Sequence, residues 1–540
     1  MPDTLSKSAG TEAQVAQAYI GNSSLTGIDF FGGVPYIQPP VGDLRWRKPQ
    51  QMDEGWKPSP QRPLIDARNF GPICIQQPAV VGVGVEDCVT LNIWRPANVT
   101  QDSKLPVVVY IHGGGNYYNV GPPQAHTITP LGTNFMSTQS AQGFPMDQWV
   151  NVTSLLGFLA SETLMKDGTA NAGLQDQRAS FEWLQRHVAK FGGDPDKITI
   201  SGESSGGGSV VNHLIWQGGN TDAPFHAAIM QSIGNDPYPV SDVYEQCFGN
   251  VTHFTGCDQE ADVMKCLRNT ATGTLIAAVN HRPQPLCKYL PIVDGYLIQD
   301  TPSKMIGQGR FTKVPVLAGH TTNDGTGFTG SPTSVTNDTQ LYSALTSSRY
   351  TRMTKETFNK ARALYPVSDF SSYYDMAQTL VGDTEFTCMD WFIVNQTASY
   401  GLPAFNYRWN TPDPVQLAAS PYKGSMHTSD LYYLFQGTNS GVSSSNAQST
   451  FRPFNATEQP LAKEATSYWT SFARSCDPSA YKAMSSPQWP AGPTKRLVIQ
   501  EGNSTTATAS MVEDVSATYI SRCSVSPNEC LEMNALELTS

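Results

Sequence analysis

Two short glycine-rich stretches of this 540-residue chain have the residue types and spacing of acyl-transfer chemistry. The first is Gly202-Glu203-Ser204-Ser205-Gly206, which satisfies G-x-S-x-G at the end of the run Ile198-Thr199-Ile200. A serine in that frame sits on a strand-to-helix turn so tight that side chains two residues to either side would collide, which is why both places are glycine. The turn lifts Ser204 clear of the sheet, where its hydroxyl can act as a nucleophile. The pattern alone is common, and an ordinary Ser/Gly turn also satisfies it. The second stretch, His112-Gly113-Gly114-Gly115, tips the reading towards catalysis. Successive glycines let bare N–H groups approach a substrate, so Gly114, Gly115 and Ser205 are expected to donate to a tetrahedral oxyanion. His112 fits the same loop as a packing or hydrogen-bonding residue.

Both stretches need strands to hold them. Leu105 to Ile111 is a continuous apolar run of the kind that fills a buried parallel strand, and it opens directly into the H-G-G-G loop. The run before Ser204 has the same character. The wider segment from Asn171 to Gly208, which begins N-A-G-L-Q-D-Q-R and ends I-T-I-S-G-E-S-S-G-G-G, resembles the signature region of the type-B carboxylesterases. That family includes fungal lipases, cholinesterases and general carboxylesterases. Gly33-Val34-Pro35-Tyr36, the stretch Pro39 to Trp46, and Glu86-Asp87-Cys88-Val89-Thr90-Leu91-Asn92 are similar to other segments of the family. The resemblance extends from about Gly33 to at least Phe435. It implies an α/β-hydrolase fold, a large and mostly parallel central sheet flanked by helices, with helical and loop excursions around the active-site mouth.

In that fold the nucleophile, acid and base follow one another along the chain in that order. After Ser204, the next apolar run that ends near a carboxylate is Val314 to Ala318, followed by G-H-T-T-N-D-G-T, so Asp324 is the expected acid. The family more usually has Glu there; Asp is one methylene shorter, so its loop must sit closer to the base. Of the 9 histidines, His427 lies in Gly424-Ser425-Met426-His427-Thr428-Ser429-Asp430-Leu431, which resembles the family's G-x-x-H-x-x-D segment. His320 stands too close to Asp324 in sequence and breaks the order. The resemblance therefore implies a Ser204, Asp324, His427 triad that needs no metal or organic cofactor. Because these positions span most of the chain, a single domain over residues 1–540 is expected, with residues 1–20 poorly ordered.

Composition narrows the setting. The net charge is -11 without a basic run, which argues against nucleic acid and anionic membranes as partners, and the apolar stretches are too short to insert stably in a bilayer. The 10 cysteines are ordinary for a secreted protein and many for a cytosolic one. The resemblance suggests the pairs Cys74–Cys88 and Cys257–Cys266 and leaves the other six open. Sequons at Asn22, Asn98, Asn151, Asn250, Asn337, Asn395, Asn455 and Asn503 permit glycosylation without requiring it. Residues 1–20 lack the apolar core of a signal peptide, so a secreted protein is expected here without its leader.

Substrate class is read from loops. The loop between Cys74 and Cys88 is too short for the long flap of the family's lipases, and it lacks the tryptophan with which cholinesterases hold a quaternary ammonium. An open-mouthed esterase on small-molecule esters is therefore expected, with an interfacial lipase or sterol esterase as the alternative. A non-catalytic binding protein on the same fold is a further alternative, disfavoured because all three triad residues are present. Tyr117, Tyr118 and Phe328 fit an aromatic substrate pocket, and they fit ordinary packing equally well. Asn151 to Leu159 reads N-V-T-S-L-L-G-F-L, without the arginine usual in the family's segment before G-F-L.

Overall fold

The computed structural model describes residues 19–20, 22–25, 28–52, 65–72, 74–75, 84–114, 155–219, 222–234, 236–281, 287, 289–435 and 454–529. The expectations for residues 1–18, Gly115, Tyr117, Tyr118 and Asn151 lie outside them. Three strands, β1 (Asn22–Leu25), β2 (Ile28–Pro35) and β3 (Thr90–Pro96), form an antiparallel sheet. Seven more form the main sheet: β4 (Leu105–Ile111), β5 (Gly193–Glu203), β6 (Ala227–Gln231), β7 (Val316–Thr321), β8 (Ala404–Trp409), β9 (Lys495–Ile499) and β10 (Met511–Asp514). They lie side by side in chain order, all neighbours parallel except the closing pair β9 and β10. This is the mostly parallel central sheet of an α/β-hydrolase fold.

The strands read as apolar runs because both faces of the sheet are covered. Successive side chains point to opposite faces. Ile111, Ile200, Met230, Val316 and Ala318 thus enter one core, together with Phe181 and Leu184 of helix α1 (Ala172–His187) and Val210 and Leu214 of helix α2 (Ser205–Ile215). Tyr110, Ile229, Leu317, Phe405 and Tyr407 enter the other, against Tyr468, Trp469 and Phe472 of helix α6 (Glu458–Ser475). Parallel strands put all their carboxyl ends on one edge, and Gly113, Ser204 and Asp324 follow the ends of β4, β5 and β7 there.

Disulfides join Cys74 to Cys88 and Cys257 to Cys266, the two pairs the resemblance suggested, and also Cys247 to Cys287 and Cys388 to Cys523. Cys476 is a thiol, and Cys530 lies outside the described residues. Among the sequons, Asn98, Asn337, Asn455 and Asn503 are exposed. Among the described residues, no helix is long and apolar enough to cross a membrane.

One buried acid has no compensation. Asp176 of α1 is 9% exposed and has no hydrogen-bond or ion-pair partner among the described residues. Burial alone pushes its carboxyl well above the ordinary range. The fully buried Tyr36, whose hydroxyl has no hydrogen-bond partner among the described residues, is pushed up by burial and by the charge of Asp176. A carboxyl raised in the fold favours folding while protonated; that stability is complete below the ordinary carboxylate pKa and is lost as pH rises through the raised value. Asp176→Asn is therefore expected to stabilise the protein at pH 8, by on the order of 1–3 kcal/mol, with the gain vanishing towards pH 4. Urea unfolding at both pH values reads this directly, and parallel curves for the two proteins would refute it.

Candidate active site

The turn at Ser204 has the strain expected of it. Ser204 adopts φ 56° and ψ -127°, a region that L side chains rarely enter and that costs about 1–3 kcal/mol. The surroundings hold it there: its N–H donates to Gln231 O at 3.0 Å, and its carbonyl accepts from Gly208 N at 3.0 Å and Gly234 N at 2.7 Å. The flanking glycines are needed for the reason inferred from sequence. A Cβ at Gly202 would lie 2.4 Å from the Gly206 carbonyl, and one at Gly206 would lie 2.1 Å from Ile111 O. Helix α2 starts at Ser205, so that residue's N–H is in the first turn, where donors have no intrahelical acceptor and the helix end favours an anion. Gly113 packs against the turn, since a Cβ there would lie 2.9 Å from Ser204 Cβ. Gly114 takes φ 107°, which glycine alone adopts readily. His112 is buried, and its Nδ1–H donates to Gly113 O at 2.7 Å; burial holds its pKa below the usual value, so it is a neutral part of the loop.

Asp324 and His427 meet although 103 residues separate them. Asn323 and Met426 form a parallel bridge, Asn323 N donates to Ser425 O at 2.9 Å, and Ser425 N donates to Asn323 Oδ1 at 3.1 Å. Gly424 permits that closeness, because a Cβ there would lie 2.4 Å from Asn323 Oδ1. With the two backbones in register, His427 Nδ1–H donates to Asp324 Oδ1 at 2.7 Å. The other oxygen, Asp324 Oδ2, accepts from Thr321 N at 3.0 Å and Ser232 Oγ at 2.9 Å. Nδ1 is thus committed as donor, and Nε2 is left as the basic nitrogen. His320 is elsewhere engaged: its Nδ1 lies 2.7 Å from buried Asp390 and its Nε2 lies 3.3 Å from Arg496 Nη1.

Other acids crowd the imidazole. Glu203, between Gly202 and Ser204, is 2% exposed, and its Oε1 lies 3.2 Å from His427 Nε2 without hydrogen-bond alignment. Burial pushes the Glu203 carboxyl up to about 8, His427 opposes, and Asp430 and Asp324 add to the rise. Asp430 accepts from Gln231 Nε2 at 2.7 Å and Tyr407 OH at 3.1 Å, and burial pushes it up to about 6. For His427, burial works against the charged form, but Glu203, Asp324 and Asp430 outweigh it and hold the imidazole above its ordinary pKa. A base must be neutral to accept a proton, so activity is expected to rise with pH through a limb above the usual histidine range. Glu203 and His427 titrate as a coupled pair, and Glu203 pulls on the imidazole only where it is ionised. Glu203→Gln removes that partner and is expected to move the acidic limb of kcat/KM to lower pH; a limb that stays in place would mean that Glu203 is protonated throughout the histidine titration.

Phe328 packs edge-on to the His427 ring at 5.1 Å, and Phe386 lies 4.3 Å from it at 31°. Phe386, Ser232, Glu203 and Asp430 had no role assigned from sequence. Glu203 occupies the free position of the G-x-S-x-G pattern and Asp430 stands in the histidine segment, so both were in view. Ser232 and Phe386 stand in stretches without a motif.

A model described as the carboxylesterase family matches residues 17–517. Lipase 5 of Diutina rugosa is 30% identical over 489 residues, covering 79% of this chain and 84% of that protein. The secreted triacylglycerol lipase LIP1 of Gibberella zeae is 28% identical over 481 residues, covering 80% of this chain and 79% of its own. Among solved structures, EstA of Aspergillus niger matches with a TM-score of 0.78 and 27% identity over 96% of this chain and 98% of that one. A structure titled PNB esterase matches with a TM-score of 0.70 at 22% identity, covering 94% of this chain and 99% of that one, a likeness of fold. With relatives of one chemistry spanning nearly the full sheet, the chain belongs to the carboxylesterase family and is a carboxylic ester hydrolase.

Proposed function

We propose that this ester hydrolase works through an acyl-enzyme on Ser204, with His427 as base and Asp324 as orienting acid. The observation that carries the reading is His427 held at Nδ1 by Asp324 at 2.7 Å while Nε2 lies 3.2 Å from Glu203 Oε1, the carboxylate next to the strained Ser204. In the first half-reaction His427 Nε2 takes the Ser204 proton as Oγ bonds to the ester carbonyl carbon. The N–H groups of Gly114, Gly115 and Ser205 receive the oxyanion. The carbon–oxygen bond to the alcohol then breaks and the alcohol leaves with the proton from Nε2. Water gives a proton to the same nitrogen, attacks the acyl carbon, and releases the acid and free Ser204.

The short Cys74–Cys88 loop supports an esterase without a large lid, acting on dissolved esters. The second reading, an interfacial lipase, is favoured by the names of the relatives, lipase 5 and secreted triacylglycerol lipase. Four disulfides and secreted relatives support an extracellular location. The two substrate readings separate in a hydrolysis panel of p-nitrophenyl esters of increasing acyl length, triglycerides and steryl esters. We expect rates that saturate below substrate solubility, whereas a jump in rate once tributyrin exceeds its solubility would establish the lipase.

A further inference from the structure

One guanidinium outside the triad is tied to three segments that touch it. Arg349 follows helix α3 (Asp338–Ser348), and its side chain is 24% exposed. Its Nη1 is paired with Asp236 Oδ1 at 3.2 Å and with Oε2 of the fully buried Glu385, and its Cζ lies 4.5 Å from the centre of the Phe328 ring. Asp236 stands on the loop of Ser232, whose Oγ holds Asp324. Phe328 meets the His427 ring edge-on at 5.1 Å. Glu385 precedes Phe386, which lies 4.3 Å from the same ring, and the two phenyl rings pack together at 4.9 Å. Glu385 and Phe386 lie in a π-helical turn, Asp383–Thr387, that interrupts the helical run between α4 (Tyr373–Gly382) and α5 (Cys388–Ser399). Such turns are costly local departures that concentrate at functional sites.

We propose that Arg349 is a positioning residue for His427, an inference that rests on the Ser204, Asp324, His427 reading above. The imidazole must keep Nδ1 on Asp324 and Nε2 towards the serine through each proton transfer. Asp324 fixes one point of the ring; Phe328 and Phe386 limit rotation about that point. Arg349 holds both walls, Phe328 by stacking on its ring and Phe386 by anchoring its neighbour Glu385. The salt bridges themselves do not require a large stabilising role, because desolvation of a buried pair offsets most of its attraction. What the cluster supplies is a fixed geometry.

The test uses Arg349→Met and Arg349→Lys in the full chain, with p-nitrophenyl butyrate as substrate and unfolding curves recorded alongside. Misplacing a reacting group by about 1 Å can cost on the order of a hundredfold, so Arg349→Met is expected to lower kcat by about ten- to a hundredfold. KM should change by less than about threefold, since ground-state binding is untouched. Lysine keeps a cation over Phe328 and one carboxylate pair, and it should recover part of the loss. The low-field proton resonance of the His427–Asp324 bond should shift or broaden in Arg349→Met, a change that a merely structural role would not produce. If Arg349→Met does not fold, Arg349→Lys and Asp236→Asn decide: a fall in kcat at nearly constant KM supports the proposal. Wild-type kcat and an unchanged resonance in folded Arg349 variants overturn it. If instead Ser204→Ala stays active, the underlying triad reading has failed, and the two failures are distinguishable.

Discussion

Ser204→Ala is expected to lower kcat for p-nitrophenyl butyrate by about a millionfold, the scale seen when a triad serine is removed. The substitution deletes one oxygen and leaves the turn intact. Alanine retains the Cβ, so the strained φ of 56° stays, together with the Ser204 backbone bonds to Gln231, Gly208 and Gly234. The variant should therefore fold with native stability while losing the acyl-enzyme route altogether. The glycine loop and the first turn of α2 remain, so a residual acceleration over water of roughly a thousandfold or more is expected. A fluorophosphonate should label the wild type once per chain and leave the variant unlabelled. Labelling at another residue, or hydrolysis within tenfold of wild type, would remove Ser204 from the nucleophile's place.

The parts of this site that were legible in the sequence are those set by local backbone chemistry. Gly202 and Gly206 could be read because a tight turn excludes side chains whatever the rest of the fold does, and the contacts of 2.4 and 2.1 Å bear out that reasoning. The apolar run Leu105 to Ile111 could be read as a buried strand because both faces of a parallel sheet are covered. Asp324 and His427 were reachable only through chain order and resemblance. Their approach depends on Asn323 pairing with Met426, which no local pattern encodes. Glu203 shows the sharper limit. Its identity was plain, but its raised pKa comes from burial and from the charges of Asp430 and Asp324, with His427 opposing, and all three arrive from distant segments. Ser232 and Phe386 become visible only once the sheet and the π turn bring them to Asp324 and His427. The pairs Cys247–Cys287 and Cys388–Cys523 depend in the same way on segments 40 and 135 residues apart coming together.

The second large effect is expected at the acid. In Asp324→Asn the two sides of the former carboxylate are no longer equivalent. Thr321 N–H can only donate, and it points at Oδ2, so the amide must turn its oxygen to that side, where Ser232 Oγ also donates. The amide nitrogen then faces His427 Nδ1, the atom that donated to Asp324 Oδ1 at 2.7 Å in the native protein. Two donors cannot share that contact, so the imidazole moves its proton to Nε2 and loses the lone pair needed to take a proton from Ser204. Stabilisation of the imidazolium by the carboxylate is lost as well. Together these predict a fall in kcat of about ten-thousandfold, with KM changed only a few-fold. Asp324→Glu provides the contrast. It keeps the charge and the tautomer but adds a methylene to a residue that is 1% exposed, in a loop so close to the neighbouring helix that a Cβ at Gly325 would lie 1.9 Å from Gln378 O. A displacement of that size should cost about ten- to a hundredfold. Equal losses in the two variants would mean that Asp324 serves as packing and that the carboxylate charge has no part in orienting His427.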